Sequence, residues 1–139
     1  ISAPHPEGHG AEAAMRQALQ FANCVPEDID YVNAHGTGTK LNDTAEAKAI
    51  GRVFSHPLPV VSTKCYTGHT LAAAGAIEAV FAAMAIEEGF LPPALASEPR
   101  DPDVLLHVPT TRTNGTFRRV LSNSFAFGGN NVSVLLGAS

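Results

Sequence analysis

An α/β fold is predicted by three observations along the chain. Short β-branched segments alternate with helical ones, as around Val32 and around Val60-Val61. The glycine-bearing stretches His35-Gly36-Thr37-Gly38-Thr39 and Thr67-Gly68-His69 fall where a strand pattern gives way to a helix pattern. Helix-start N–H groups and strand-end side chains converge at such junctions, so reactive groups gather there. The last helical run is followed by two β-patterned arms instead of more helix.

Residues 1–10, with two prolines, two glycines and two histidines, are expected to form a loop. Ala11 to Phe21 has helical spacing, with Ala14, Met15, Ala18, Leu19 and Phe21 as its buried side and Glu12 in its first turn. Pro26-Glu27-Asp28 is a turn, and Ile29 to Ala34 reads as a strand through Tyr31 and Val32. After the 35–39 loop, Asp43 or Thr44 can cap a helix to about Phe54, whose apolar face is Ala45, Ala49, Ile50, Val53 and Phe54. Leu58 to Ser62 gives a second strand. The chain then turns through Thr67-Gly68 into an amphipathic, Ala-rich helix from Leu71 to Gly89. Four prolines from Pro92 to Pro102 predict a stiffened crossing, and residues 104–108 a short edge strand. Arg119 to Ser124 and Val132 to Leu136 read as hairpin arms.

The 139 residues suffice for a one-domain core, and 45% of them are hydrophobic. Only 16% are charged, which points to segments covered on several sides. A net charge of −4, with Arg118-Arg119 the only adjacent basic pair, argues against a nucleic-acid partner. Two cysteines, Cys24 and Cys65, make no disulfide framework and fit a reducing, cytoplasmic setting. The run Leu71 to Ile86 contains Glu78 and is too short for a membrane span. The opening Ile1-Ser2-Ala3-Pro4, without a Met, reads as a processed or truncated chain.

His35 and His69 occupy equivalent contexts, each at a strand-to-helix junction. If the imidazoles meet, they can donate hydrogen bonds to a developing enolate oxygen without bringing a full charge into a dry pocket. The alternative is two histidines satisfied within buried turns. Lys64 can hold the polarity of an imidazole, attract a carboxylate, or be an ordinary loop lysine. Glu78 lies two and a half helical turns after His69, so an ion pair with Lys64 is geometrically open to it, as is a place on a solvated stripe. Cys65, beside Lys64, admits a protease-like pairing with His69 or simple cavity filling. His5 and His9 lack a third zinc ligand at convincing spacing. The 35–40 stretch lacks the spacing and ending of a phosphate loop. Thr37 and Thr39 can instead bond an extended polar ligand.

Three ordered segments together resemble the carboxyl-terminal part of a β-ketoacyl-acyl-carrier-protein synthase, in the condensing-enzyme branch of the thiolase-like family. They are Val32-Asn33-Ala34-His35-Gly36-Thr37-Gly38-Thr39, Ser62-Thr63-Lys64 through Gly68-His69 and Ala73-Ala74-Gly75, and Asn123-Ser124-Phe125-Ala126-Phe127-Gly128-Gly129-Asn130-Asn131. The opening Ala3-Pro4-His5-Pro6-Glu7-Gly8 is similar to the family loop before a helix, so the resemblance covers nearly the whole chain. It implies a five-layered α-β-α-β-α fold of two related halves, with this chain most of the second and without its opening strand or strands. His35 and His69 would be the paired catalytic histidines, Lys64 the active-site lysine and Glu78 its acidic partner. Thr37 and Thr39 would contact a phosphopantetheine arm carried by acyl carrier protein. Phe127 would be the gate beside an oxyanion hole, with Phe125 in the acyl pocket. Asn33, Glu78, Ser122 and Asn123 resemble a region that holds a structural monovalent cation in some members; no other cofactor is implied.

The family nucleophile is a cysteine on a strand-to-helix elbow in the amino-terminal half, and neither Cys24 nor Cys65 matches it. Ala126 and Asn130 stand where the family often has glycine and threonine. The implied reaction is decarboxylative condensation of malonyl-carrier protein with an enzyme-bound acyl group. The implied partners are the amino-terminal half, acyl carrier protein and a second copy in a homodimer. The competing readings are a non-catalytic homologue that sets chain length or supports a catalytic partner, and a small-molecule-binding module that kept the scaffold.

Overall fold

The computed structural model describes residues 5–95 and 97–138. Residues 1–4 of the expected opening loop, including Ala3-Pro4 of the family-like stretch, and Ala96 of the proline crossing lie outside the described residues.

Helix α1 (His9–Phe21) starts two residues before the sequence expectation, behind Gly8 in a left-handed conformation at φ 65°. A Cβ at Gly8 would stand 2.1 Å from the Ala45 carbonyl oxygen, so this entry loop needs glycine. Ala11, Ala14, Met15, Ala18 and Leu19 form the buried stripe at i, i+3, i+4, i+7 and i+8. Phe21 falls outside that stripe and is 87% exposed, contrary to its expected burial.

A turn at Pro26–Asp28 leads to strand β1 (Tyr31–Asn33), buried throughout. Helix α2 (Lys40–Val53) begins earlier than a cap at Asp43 or Thr44 would allow. Thr39 is the N-cap residue, and its carbonyl takes the first helical bond from Asp43 N–H with no side-chain cap. Strand β2 (Val60–Val61) is followed by helix α3 (Lys64–Thr67), a single turn where a plain turn was expected, closed by Gly68 at φ 69°. A 3-10 turn at Leu71–Ala73 precedes helix α4 (Ala74–Glu88), which ends at Gly89 in the left-handed region. The proline-bearing crossing is bracketed by β3 (Phe90–Leu91) and β4 (Thr113–Asn114), a small antiparallel pair that lacked a sequence signal. Residues 104–108 form no strand; an isolated bridge joins His107 to Pro59. Strands β5 (Arg119–Phe125) and β6 (Asn131–Gly137) make the expected hairpin, paired from Arg119↔Gly137 to Phe125↔Asn131.

The main sheet has the order β2-β1-β5-β6, with β1 parallel to both β2 and β5. Its two faces build separate cores. Val32, Val60 and Leu121 pack against Met15 and Leu19 of α1 and Ile50 and Val53 of α2. Their strand neighbours Tyr31, Val61 and Val120 face Ala82 and Ala85 of α4, with Leu91 and Phe117. Alternation along each strand thus sends successive residues into different layers. Burial of each such Val, Leu or Ile contributes roughly 1.5–3 kcal/mol, which lets strands this short hold their register. Helix α4 is not amphipathic as expected. Ala74, Glu78, Ala82 and Ala85 are buried, yet its outer side carries exposed Val80 and Met84.

Candidate active site

The parallel strands β1 and β2 end side by side, so the residues following them meet. His35, two residues past the end of β1, and His69, after α3, stand edge to face with ring centroids 5.4 Å apart and planes at 84°. Phe125, at the end of β5, approaches His35 at 5.7 Å. The ends of β1 and β5 and the turn after α3 thereby bring two imidazoles and one aromatic ring to one place. The two histidines expected to meet do meet.

Each imidazole has a distinct setting. The backbone N–H of Leu71 donates to His69 Nδ1 at 3.2 Å. An accepting Nδ1 puts the proton of the neutral ring on Nε2. His35 is buried, and its pKa is lowered to about 4, first by burial, then by the positive charge of Lys64 and by His69. It is therefore neutral near pH 7 and able to donate a hydrogen bond without carrying charge. Its Nδ1 is buried without a partner among the described residues.

Lys64 is drawn inward by the first turn of α3, and its Nζ donates to Glu78 Oε1 on α4. The two side chains are only 5% and 2% exposed, so this is a buried ion pair and neither an ordinary loop lysine nor a solvated acid. Burial pushes the Glu78 carboxyl up, and the Lys64 ammonium pulls it part of the way back. Taking both charges out of water costs free energy that their mutual attraction offsets, so removing either partner alone would leave a buried charge uncompensated.

Thr37 and Thr39 hydrogen-bond each other through their hydroxyls at 2.9 Å on the exposed loop ahead of α2. A crevice of about 590 Å³ opens between this loop and the 94–108 crossing, lined by Thr37, Ser62, Lys64, Cys65, His69 and Leu106 among others. Phe127 lies away from the histidines' packing. It is 79% exposed in the turn Phe127–Gly129, whereas Phe125 is partly buried.

The four residues expected around a cation divide between two faces. Asn33 Nδ2 donates to Ser122 Oγ at 3.3 Å, and Tyr31 O–H donates to Asn33 Oδ1 at 3.2 Å, both on the α4 side of the sheet. Asn123, one residue along β5, points to the α1–α2 side, where both ends of its amide are occupied. No group of three or more His, Cys, Asp and Glu that could hold a metal ion occurs among the described residues, and the His5 and His9 rings lie 4.7 Å apart, tilted by 38°. The Cys65 thiol donates to the Ser62 carbonyl at 3.3 Å and not to an imidazole, against a protease-like pairing. No helix among the described residues is long and apolar enough to cross a membrane.

One site residue has no counterpart in the sequence expectation. Glu46, on α2, is buried and accepts from the backbone N–H groups of His35 and Gly36, each at 2.9 Å. The side chain of Asn123 also donates to it, at 3.1 Å.

Known proteins resemble this chain over most of its length. The family described as "Beta-ketoacyl synthase, C-terminal domain" matches residues 1–98. The 3-oxoacyl-[acyl-carrier-protein] synthase 2 of Mycobacterium leprae is 40% identical over 137 residues, covering 97% of this chain and 33% of that protein. The mitochondrial 3-oxoacyl-[acyl-carrier-protein] synthase of Arabidopsis thaliana is 44% identical over 142 residues, covering 97% and 31%. The solved ishigamide ketosynthase/chain length factor superposes with a TM-score of 0.93 at 39% identity, over 99% of this chain and 34% of that one. The chain thus spans about a third of the length of these relatives and shares their thiolase-like mixed α/β fold, consistent with a carboxyl-terminal portion of it. On the match across residues 1–98 and these identities, the chain belongs to the β-ketoacyl synthase family.

Proposed function

We propose that this chain is the carboxyl-terminal part of a β-ketoacyl-acyl-carrier-protein synthase that performs decarboxylative condensation in fatty-acid or polyketide synthesis. The observation that carries the reading is the imidazole pair, His35 against His69, beside the buried Lys64–Glu78 pair. The amino-terminal half supplies the nucleophilic cysteine, which accepts an acyl group from acyl carrier protein. Malonyl-carrier protein then enters, its phosphopantetheine arm passing Thr37 and Thr39. As carbon dioxide leaves, negative charge grows on the thioester oxygen. His69 Nε2–H and the His35 ring, held neutral by burial and by Lys64, donate to that oxygen. The carbanion attacks the acyl thioester, the cysteine thiolate departs, and the product is a β-ketoacyl thioester two carbons longer. Phe125 walls the reacting centre, and Phe127 serves as its gate and places an oxyanion-hole N–H once the amino-terminal half is in place. The complete enzyme works as a homodimer.

A second reading is supported by the superposition on a ketosynthase/chain length factor: a partner subunit that shapes chain length without catalysing. The residue at the nucleophile elbow decides between them, since cysteine there supports catalysis and glutamine the partner role.

In the complete protein, His35→Ala and His69→Ala should each lower malonyl-thioester decarboxylation by a factor on the order of 10²–10³, the scale of a lost oxyanion donor, while Tm moves little. Wild-type decarboxylation and condensation in both variants would defeat the assignment.

A further inference from the structure

Lys64 and His69 ride on the same short segment between β2 and α4, and that segment cannot hold its own shape. Helix α3 has four residues, closed by the Gly68 N–H on the Lys64 carbonyl at 2.9 Å and the Tyr66 N–H on the Thr63 carbonyl at 3.0 Å. One turn fixes several dihedral angles for very few hydrogen bonds, so it is unstable unless held from outside. The Cys65 thiol and the Thr67 hydroxyl donate to the carbonyls of Ser62 and Gly68, inside the segment. The other two side chains of the turn bond outside it. Lys64 Nζ donates to Glu78 on α4. The Tyr66 hydroxyl donates to the Pro93 carbonyl at 2.6 Å, across 27 residues of chain.

Lys64 and Tyr66 stand two positions apart in a helical turn, about 200° around its axis. They leave α3 on nearly opposite sides, so the turn is gripped between α4 and the proline-bearing crossing. The crossing is a firm anchor at this point. Pro92 and Pro93 have fixed φ. Before them Leu91 of β3 is fully buried, and after them the buried Ala94 donates its N–H to the Pro109 carbonyl at 2.8 Å. The crevice is lined from the α3 segment by Lys64, Cys65 and His69, and from the crossing by Ala94 and Leu95. The Tyr66–Pro93 bond ties these two linings together.

We propose that Tyr66 is a positioning residue for Lys64 and His69, its hydroxyl latching α3 to the Pro93 carbonyl of the crossing. This rests on the reading of those two residues as parts of the catalytic site. Tyr66 is 45% exposed, so it contributes the hydrogen bond more than a place in the core. Without that bond α3 is held on the α4 side alone, through a flexible lysine stem. His69, two residues past the turn, then shifts against His35, and the two imidazoles converge less well on one oxygen.

The test uses the complete synthase and malonyl-thioester decarboxylation. Tyr66→Phe removes the hydroxyl alone, and kcat should fall about three- to tenfold, the scale of one hydrogen bond, with KM within about twofold. Tyr66→Leu should lose about as much. Pro93→Gly keeps the carbonyl but loosens the backbone that carries it, so kcat should fall about twofold. In the Tyr66→Phe background the same change should lose nothing further. The latch is overturned by wild-type kcat in Tyr66→Phe, by a loss confined to KM, or by a loss in Tyr66→Leu alone. Additive losses in the double variant overturn it too, as does a lowered Tm with unchanged kcat in the folded protein. Wild-type kcat in Pro93→Gly does so even if Tyr66→Phe fails to fold. His69→Ala separates the two levels: if it is inactive while Tyr66→Phe matches wild type, the latch alone fails, and if it is fully active, the functional reading fails with it.

Discussion

At the scale of single residues, the site is built from groups whose ordinary ionisation the fold displaces. His35 is held near a pKa of about 4 against an ordinary 6.5 by burial and by Lys64. The lowered folded value means that the unfolded chain binds this proton more readily. His35 therefore contributes stability above about pH 6.5 that is lost as pH falls through about 4. Glu46 and Glu78 are shifted the opposite way, with burial the main cause, so their favourable contribution is greatest in acid and fades as pH rises. The His35 part is isolated by difference. Urea denaturation of wild type and His35→Ala across pH 4 to 7 should give a wild-type curve that falls more steeply towards acid. Parallel curves would mean that His35 is charged or solvated in the folded protein.

At the scale of elements, α2 delivers Glu46, and two of its glycine neighbourhoods make opposite predictions. Gly51 lies in the helix interior with open space where a Cβ would be, so Gly51→Ala should stabilise by about 0.5–1 kcal/mol through the unfolded state. Gly36, ahead of the helix, has both a positive φ and Ser62 in the way, so Gly36→Ala should cost on the order of 1–3 kcal/mol or more. Thermal melts of the two variants check both signs. Much of this architecture is legible in the sequence because periodicity reports it directly, as with the α1 stripe and the β5–β6 hairpin. Lys64, His35 and His69 are legible as strand-end residues. Glu46 was open to reading too: it falls three before Ala49 and four before Ile50, on the buried face of α2, where an acid has no ordinary reason to be. The start of α2 was not, since Thr39 caps through its backbone and leaves no side-chain signature. Nor was the split of Ser122 and Asn123, because neighbouring polar residues show their opposite faces only once the strand is placed.

At the scale of the whole molecule, the outer side of α4 carries the last consequence. Ala76, Val80, Ala83 and Met84 recur at helical spacing and are all exposed, with Val80 at 59% and Met84 at 43%, while the inward side holds Ala74, Glu78, Ala82 and Ala85. A helix apolar on both sides belongs between two packed layers. In the proposed enzyme the amino-terminal half supplies the second layer, in keeping with relatives about three times as long as this chain. Replacing Val80 and Met84 by Glu then has opposite effects in the two contexts. In the 139-residue chain alone the change removes exposed apolar area, so light scattering should show less self-association. In the complete protein it buries two carboxylates without partners, at several kcal/mol, so yield and Tm should collapse. A complete protein that tolerates the double substitution with unchanged Tm would show that face open to water, and the proposed assembly against α4 would be wrong.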